Sequence, residues 1–145
     1  MRFLPDESAK YTAVKGDVLI CEGGYPGRAA IWNENYPIHF QKALHRVRFH
    51  DPEYGKWFVY YLYGQDKSGE LKDHFSGTGI QHLTGEALAQ FELPMPPLPE
   101  LRRTVAKIEA VSTETDRLAS IYQQKLAALD ELKKSLLHQA FTGQL

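Results

Sequence analysis

The chain has 145 residues, of which 43% are hydrophobic and 24% are charged, and its formal net charge is -1. This length fits one globular domain plus one long element. A dedicated polyanion binder is usually more basic, so any DNA-contacting surface must be a local patch. The charge divides unevenly, because residues 1–100 have a net charge of -3 and residues 101–145 have a net charge of +2.

The sequence predicts a cytoplasmic protein. It has no run of about 18 apolar residues, so we expect no transmembrane helix. Residues 1–7 lack the apolar core of a signal peptide. The single cysteine, Cys21, excludes an internal disulfide framework and fits a reducing compartment.

Two short strands are predicted near the N-terminus, at residues 17–21 and 29–32, as a hairpin or as neighbouring strands of a sheet. Between them, residues 23–28 form a glycine-rich loop. It is not a phosphate loop, because Gly27 is followed by Arg28 and Ala29. Cys21 falls inside an apolar strand, which predicts a buried, inert thiol.

Residues 44–49 alternate in polarity and predict a half-exposed strand. Val47 and Phe49 fall on one face, and Arg46 and Arg48 fall on the other. The basic face is equally compatible with arginines that are simply solvated.

A helix is predicted to begin around residues 51–53, because Asp51 can cap it and Pro52 suits its first turn. Gly64 is its expected stop. The aromatic residues of this helix fit a core better than a base-stacking platform. One or two helical turns are expected at residues 69–75.

A second glycine-rich loop, at residues 76–79, is followed by a predicted short strand at residues 80–83. Thr84 is expected to cap a short helix that runs to Phe91. The predicted fold class is therefore α+β, a small mixed α/β domain at residues 1–93 followed by a long helix.

A proline-rich linker at residues 94–99 leads into a long helix at residues 100–145, which we expect to stop at Gly143. Its apolar positions follow a heptad spacing, which is typical of a coiled coil and predicts a rod of roughly 60 Å. A generic helix packed on the globular domain is the alternative. The predicted interface positions are Leu101, Ile108, Val111, Leu118, Tyr122, Leu129, Leu132 and Leu136.

Catalytic and metal sites are not expected. The six histidines are scattered, without a convincing metal-ligand spacing, and there is no nucleophile elbow. The sequence therefore favours a non-enzymatic protein without a metal.

Several blocks of this sequence resemble one family. They are residues 15–20 with 26–31, residues 75–83, residues 93–103 and residues 132–145, with the ending Ala-Phe-Thr-Gly-Gln-Leu. They resemble the specificity subunit of type I restriction-modification systems, over about residues 11–145. Leu101 stands where the family usually has glutamine.

The resemblance implies a non-catalytic subunit that reads double-stranded DNA and docks methyltransferase subunits through its helix. Residues 1–93 would be a partial target recognition domain, which reads one half of a split site. S-adenosylmethionine and ATP would belong to partner subunits. With one domain and one helix, the chain resembles half of a full subunit, which suggests homodimers through the helix and a palindromic split site.

Candidate DNA contacts lie in the two glycine-rich loops and on the strand at residues 44–49, because arginine can bind guanine and polar side chains can bind phosphates or bases. They are Tyr25, Arg28, Arg46, Arg48, Thr78 and Gln81. The alternative function is a protein-binding module or decoy that pairs with specificity or methyltransferase subunits without reading DNA.

Overall fold

The computed structural model describes residues 9–143, and the chain divides into two compact units, Met1–Arg102 and Arg103–Leu145. The predicted α+β class is confirmed. Within the described range the strands are β1 (Thr12–Ala13), β2 (Val18–Cys21), β3 (Ala29–Ile31), β4 (Ile38–His39) and β5 (Leu44–Val47). The helices are α1 (Glu53–Ser68), a 3-10 helix (Glu70–His74), α2 (Gly85–Ala89) and α3 (Leu98–Thr142).

A three-stranded antiparallel sheet in the order β3-β2-β5 is the centre of the first unit. Val18 on β2 pairs with Ile31 on one side and with Val47 on the other. The predicted hairpin is therefore confirmed as β2–β3. β1 and β4 form a separate antiparallel pair.

The predicted burial of the Cys21 thiol is wrong, and the alternation of side chains along β2 explains why. Val18 and Ile20 point into the core and are fully buried, whereas Cys21 is only half-buried. Successive residues of a strand point to opposite faces, so the last residue of β2 lies on the face opposite to Ile20. Cys21 is thus not the buried thiol that an apolar strand suggested.

Helix α1 packs on this sheet and closes the core. Asp51 Oδ1 accepts a hydrogen bond from the Glu53 N–H at 3.0 Å, in line with the predicted start. At Gly55 the missing side chain allows close approach, since a Cβ there would lie 3.4 Å from Val18 Cγ2. The buried core cluster consists of Val18, Ile20, Phe58, Leu62, Leu71 and Leu83.

The predicted stop at Gly64 is wrong, because α1 continues to Ser68. A glycine inside a helix costs only about 1 kcal/mol, which burial of the apolar face can outweigh. The helix ends instead at Gly69, whose φ of 86° is the left-handed conformation that terminates many helices. The helical turn predicted next is confirmed as the 3-10 helix.

The strand predicted at residues 80–83 is also wrong, since these four described residues form no strand. Instead, Ser76 and His82 exchange two main-chain hydrogen bonds of 2.9 Å, and the chain turns back between them. Thr84 Oγ1 caps α2 as predicted by accepting from the Ala87 N–H at 3.2 Å. This helix ends at Ala89, before the expected Phe91.

The proline-rich segment is held against α1 within the first unit. Trp57 Nε1 donates to the Pro94 carbonyl at 2.7 Å, and the Tyr54 hydroxyl donates to the Pro96 carbonyl at 3.0 Å. Arg102 forms two 2.6 Å hydrogen bonds with the Glu53 carboxylate, which lower the pKa of Glu53. These contacts fix the extended chain that enters α3.

The second unit is helical from its first residue to Thr142. Ion pairs one turn apart join Glu114 to Arg117 at 2.7 Å and Glu131 to Lys134 at 2.9 Å. Helix α3 ends before Gly143, which has a φ of 71°, as the sequence predicted. Among the described helices, none is long and apolar enough to cross a membrane.

Candidate nucleic-acid interface

The first candidate element is the hairpin loop, residues 23–28, which joins β2 to β3. Its ends are closed by hydrogen bonds from the Cys21 N–H to the Arg28 carbonyl at 2.8 Å and from the Gly27 N–H to the Cys21 carbonyl at 2.9 Å. Tyr25 is 68% exposed, and Arg28 is also exposed. Arg28 Cζ lies 5.9 Å from the centroid of the Tyr25 ring, within cation–π range.

Gly27 anchors this hairpin loop to the 3-10 helix. Gly27 is buried and has a φ of 83°, and a Cβ added to it would lie 2.4 Å from Leu71 Cδ2. Leu71 itself is fully buried. The loop is therefore seated on the core through one glycine, while Tyr25 and Arg28 remain at the surface.

The second element is the bridge loop, residues 76–82, which the Ser76–His82 pair closes. Gly77 has a φ of 100°, and a Cβ there would come within 2.3 Å of the Ile80 carbonyl oxygen. Glycine is thus required for this turn. Thr78 and Gln81, both predicted DNA contacts, are exposed on it.

The structure brings the two loops together. The Leu83 N–H, just after the bridge loop, donates to the Glu22 carbonyl, just before the hairpin loop, at 2.8 Å. A Cβ at Gly23 would lie 3.0 Å from His82 Nδ1. Segments about 60 residues apart in sequence are thus fixed side by side.

His45 on β5 supports this junction. Its Nε2 is 2.8 Å from the Leu83 carbonyl oxygen and 3.9 Å from Glu22 Oε2. Sequence reasoning missed this role because a lone histidine in an alternating strand carries no signal for a main-chain partner 38 residues away. Ile80 was missed too, although it is 74% exposed between Thr78 and Gln81.

The two strand arginines have protein partners. Arg46 Nη1 donates to the carbonyls of Ala9, at 3.2 Å, and Thr12. Arg48 donates from Nε and Nη2 to the Asp17 carboxylate at 2.6 and 2.7 Å. Their guanidinium groups therefore hold the first unit together, while Tyr25, Arg28, Thr78 and Gln81 lie on the two joined loops.

The predicted helix interface divides between the two units. Leu101 is 2% exposed and belongs to the first unit, and Ile108 is half-buried. The remaining six positions are exposed in the isolated chain: Val111, Leu118, Tyr122, Leu129, Leu132 and Leu136. Such a row of exposed apolar side chains on one helix is available for a partner helix.

A metal centre is not assembled by the part of the chain that the structure describes. Over residues 9–143, no group of three or more His, Cys, Asp or Glu side chains is placed to hold an ion. The joined loops instead expose a guanidinium, an aromatic ring, two hydroxyls, a carboxamide and an apolar side chain, from Arg28, Tyr25, Ser76, Thr78, Gln81 and Ile80.

Comparisons with known proteins all find type I specificity subunits. The model of the type I restriction modification DNA specificity domain matches residues 2–128. The specificity subunit of the type I restriction enzyme EcoBI from Escherichia coli is 24% identical over 117 residues, which are 81% of this chain and 24% of that subunit. The MjaVIII specificity subunit from Methanocaldococcus jannaschii is 30% identical over 76 residues, which are 52% of this chain and 17% of that subunit.

The fold is also similar to a solved one. A chain from a structure concerned with complex assembly and conformational transition of the type I R-M system aligns with a TM-score of 0.77 at 27% identity. The alignment covers 92% of this chain and 32% of that chain. The present chain therefore spans about a quarter or less of the curated subunits and about a third of the solved chain.

Proposed function

Because the chain belongs to the type I restriction modification DNA specificity domain family, we propose that it reads one half of a bipartite DNA site and docks methyltransferase subunits through α3. In this proposal it does no chemistry itself. The observation that carries the DNA-reading part is the pairing of the two glycine-rich loops through the Leu83–Glu22 hydrogen bond. That contact brings side by side the two loops that carry four exposed candidates: Tyr25, Arg28, Thr78 and Gln81.

The joined loops suit base edges because they expose varied donors and acceptors on turns that main-chain hydrogen bonds close. Because β2 is the central strand of its sheet, the part of the β2–β3 hairpin that can enter the major groove of B-DNA is its loop. Arg28 can donate to guanine, Gln81 can pair with adenine, and the Ile80 side chain can contact a thymine methyl group. Gly27 and Gly77 adopt the positive φ that the two turns require, and neither has a side chain that would clash with its neighbours.

Overall charge supports a local contact rather than a broad electrostatic one. The chain has a net charge of -1. Counterion release from phosphates dominates non-specific DNA binding and scales with the number of cations engaged. We therefore propose weak DNA binding by the isolated chain and specific binding by its complex with partner subunits, which supply further phosphate contacts.

The proposed docking element is the exposed apolar row of α3. It would pair with a second copy of this helix, or with helices of the methyltransferase subunits, and bury the seam that one helix leaves open. Two copies related by a twofold axis would present two identical loop surfaces. The preferred DNA site would then be a palindrome split by a spacer.

S-adenosylmethionine and ATP are assigned to the partner subunits in this proposal. Isothermal titration calorimetry of the isolated chain with S-adenosylmethionine or with ATP should show no saturable binding. Saturable binding of S-adenosylmethionine to the isolated chain would contradict this assignment.

A second function has its own support. The near-neutral charge together with the exposed apolar row would also suit a decoy that pairs with specificity or methyltransferase subunits without reading DNA. Both functions predict co-purification with a methyltransferase subunit. Only the first predicts selection of a DNA sequence by the complex.

The test is therefore a two-step experiment. The chain is co-expressed with the modification subunit of its own restriction system, and the purified complex selects from a randomised duplex library. Enrichment of a symmetric split motif supports DNA reading, and a complex that forms without enrichment supports the decoy. A matched control is the same complex carrying Thr78→Ala and Gln81→Ala, which leaves the helix intact.

A further inference from the structure

We propose that Arg28 reads a guanine in the half-site, and that the Tyr25 ring is the positioning residue that holds its guanidinium. This inference rests on the proposed DNA-reading function, and it names the base that the loop surface recognises. It follows from which arginines are available, from how Arg28 is held, and from the charge around it.

Arg28 is the described arginine of the first unit whose guanidinium is available to bind a base. The described arginines of the first unit are Arg28, Arg46, Arg48 and Arg102. Three of them donate to acceptors of the protein, which are main-chain carbonyls, the Asp17 carboxylate and the Glu53 carboxylate. Among the described residues, the Tyr25 ring is the contact found for the Arg28 guanidinium, so its N–H donors remain free for a ligand.

The main chain of Arg28 is fixed on both sides. Its N–H donates to the Tyr25 carbonyl at 3.1 Å, and its carbonyl accepts from the Cys21 N–H at 2.8 Å. The preceding Gly27 is wedged against Leu71. A side chain on such a support loses less conformational freedom on binding than one on a mobile loop.

In this inference Tyr25 positions the Arg28 side chain. The 5.9 Å separation between Arg28 Cζ and the ring centroid lies within the range of cation–π attraction. An aromatic face leaves the donors in the guanidinium plane exposed at its edge. That planar fork matches the O6 and N7 acceptors of guanine, which is the commonest base-specific contact of arginine.

The surroundings favour a base over a phosphate. A phosphate-tracking surface gathers several cations. Here Glu22 precedes the loop, and Glu70 and Asp73 lie on the 3-10 helix that supports it, with Lys72 between them. Arg28 is thus one directed donor in a mixed-charge setting, which suits a specific contact.

The experiment is selection from a randomised duplex library by the complex with the modification subunit, using wild type, Arg28→Ala, Arg28→Lys and Tyr25→Phe. We expect one G·C position in the wild-type motif to lose its preference by roughly 10- to 100-fold in Arg28→Ala, with the other positions unchanged. Arg28→Lys keeps the charge but replaces the planar fork by one ammonium group, so it should weaken the same preference by less than Arg28→Ala does. Tyr25→Phe keeps the ring face and should retain the preference, whereas a fifth protein in the selection, Tyr25→Leu, loses the ring and should weaken it.

Lys72→Ala is the matched control, because it removes an exposed positive charge from the adjacent 3-10 helix and should leave the motif unchanged. An Arg28→Ala motif identical to that of wild type overturns the inference alone. A salt titration of the Arg28→Ala complex on the selected duplex also overturns it if affinity falls equally for all sequences and the salt slope drops by about one, which identifies a phosphate contact. A wild-type complex that enriches no motif overturns both this inference and the proposed DNA reading.

Discussion

The carboxylate of Asp17 and the guanidinium of Arg48 form a two-pronged ion pair, with Oδ1–Nε at 2.6 Å and Oδ2–Nη2 at 2.7 Å. The Asp17 side chain is 1% exposed, and its Oδ2 also accepts from the Val14 N–H at 2.8 Å. This pair ties the start of β2 to the end of β5. It therefore holds in place the sheet from which the hairpin loop projects.

Acid should weaken the fold through Asp17. Burial raises the pKa of Asp17, but hydrogen bonds from Arg48 and the Val14 N–H and the charges of Arg48 and Arg46 outweigh it, so the pKa lies below its ordinary value. A lowered folded-state pKa contributes stability above the unfolded-state pKa of about 3.9, and this contribution is lost as the pH falls through the folded-state value. Urea unfolding of wild type and Asp17→Asn at pH 7 and pH 3 measures it. The difference between the two proteins should shrink at pH 3, and an unchanged difference would contradict this assignment.

Arg48→Ala should lower the free energy of unfolding by about 2 kcal/mol at pH 7. Breaking a fully buried pair costs about 3–5 kcal/mol, and the loss here is smaller because water reaches the half-exposed arginine. Chemical denaturation gives the value. Lys72→Ala, which removes an exposed cation, is the comparison and should cost less than half as much.

Gly27→Ala should destabilise the protein more than Gly24→Ala does. Both residues have positive φ, so each alanine costs about 1 kcal/mol of backbone strain. Only at Gly27 does the new methyl group also meet a core side chain, at 2.4 Å from Leu71 Cδ2, whereas nothing lies within 4 Å at Gly24. Thermal unfolding should show the larger drop for Gly27→Ala, and equal drops would mean that the hairpin loop is not seated on Leu71.

Trp57→Phe should loosen the proline-rich segment. The change keeps an aromatic ring but removes the donor to the Pro94 carbonyl, a hydrogen bond with a net value of about 1 kcal/mol. Amide hydrogen exchange of the first turn of α3 should accelerate. Tyr63→Phe, on an exposed position of the same helix, is the control and should leave the exchange unchanged.

Leu129→Lys combined with Leu132→Lys should abolish self-association and methyltransferase docking if the apolar row of α3 is the interface. Charges at two seam positions cannot be desolvated without large cost. Light scattering at micromolar concentration should give a monomer mass for this variant and a larger mass for wild type. The paired change Gln123→Lys and Gln124→Lys adds the same charge outside the seam and should keep the wild-type mass. A monomeric wild type would rule out the homodimer.

Local patterns in the sequence predicted the α+β class, the β2–β3 hairpin, the Thr84 cap and the long helix that ends before Gly143. Each depends on residues close together in the chain. Gly64 misled because one glycine inside a helix costs only about 1 kcal/mol, and the residue that ends the helix is Gly69, which has the left-handed φ of 86°. The pairing of the two glycine-rich loops could not be predicted from the sequence. It depends on the Leu83 N–H and the Glu22 carbonyl, and such main-chain groups are present at almost every position of any chain.

The same limit applied to the arginines. Alternation placed Arg46 and Arg48 on one face of β5 but carried no information on the carbonyls and the buried carboxylate that receive their hydrogen bonds. Arg28 stood out only as the residue after a glycine turn. The structure shows that the guanidinium of Arg28, unlike those of Arg46 and Arg48, donates to no acceptor among the described residues.

One titration tests directly whether the two joined loops read DNA. The complex with the modification subunit is titrated with its selected duplex and with a scrambled duplex of equal length, as wild type and as Thr78→Ala with Gln81→Ala. We predict that wild type prefers the selected duplex, and that the variant loses this preference while its affinity for the scrambled duplex and its salt dependence stay the same. A variant that keeps the full preference would contradict the placement of DNA reading on the two glycine-rich loops.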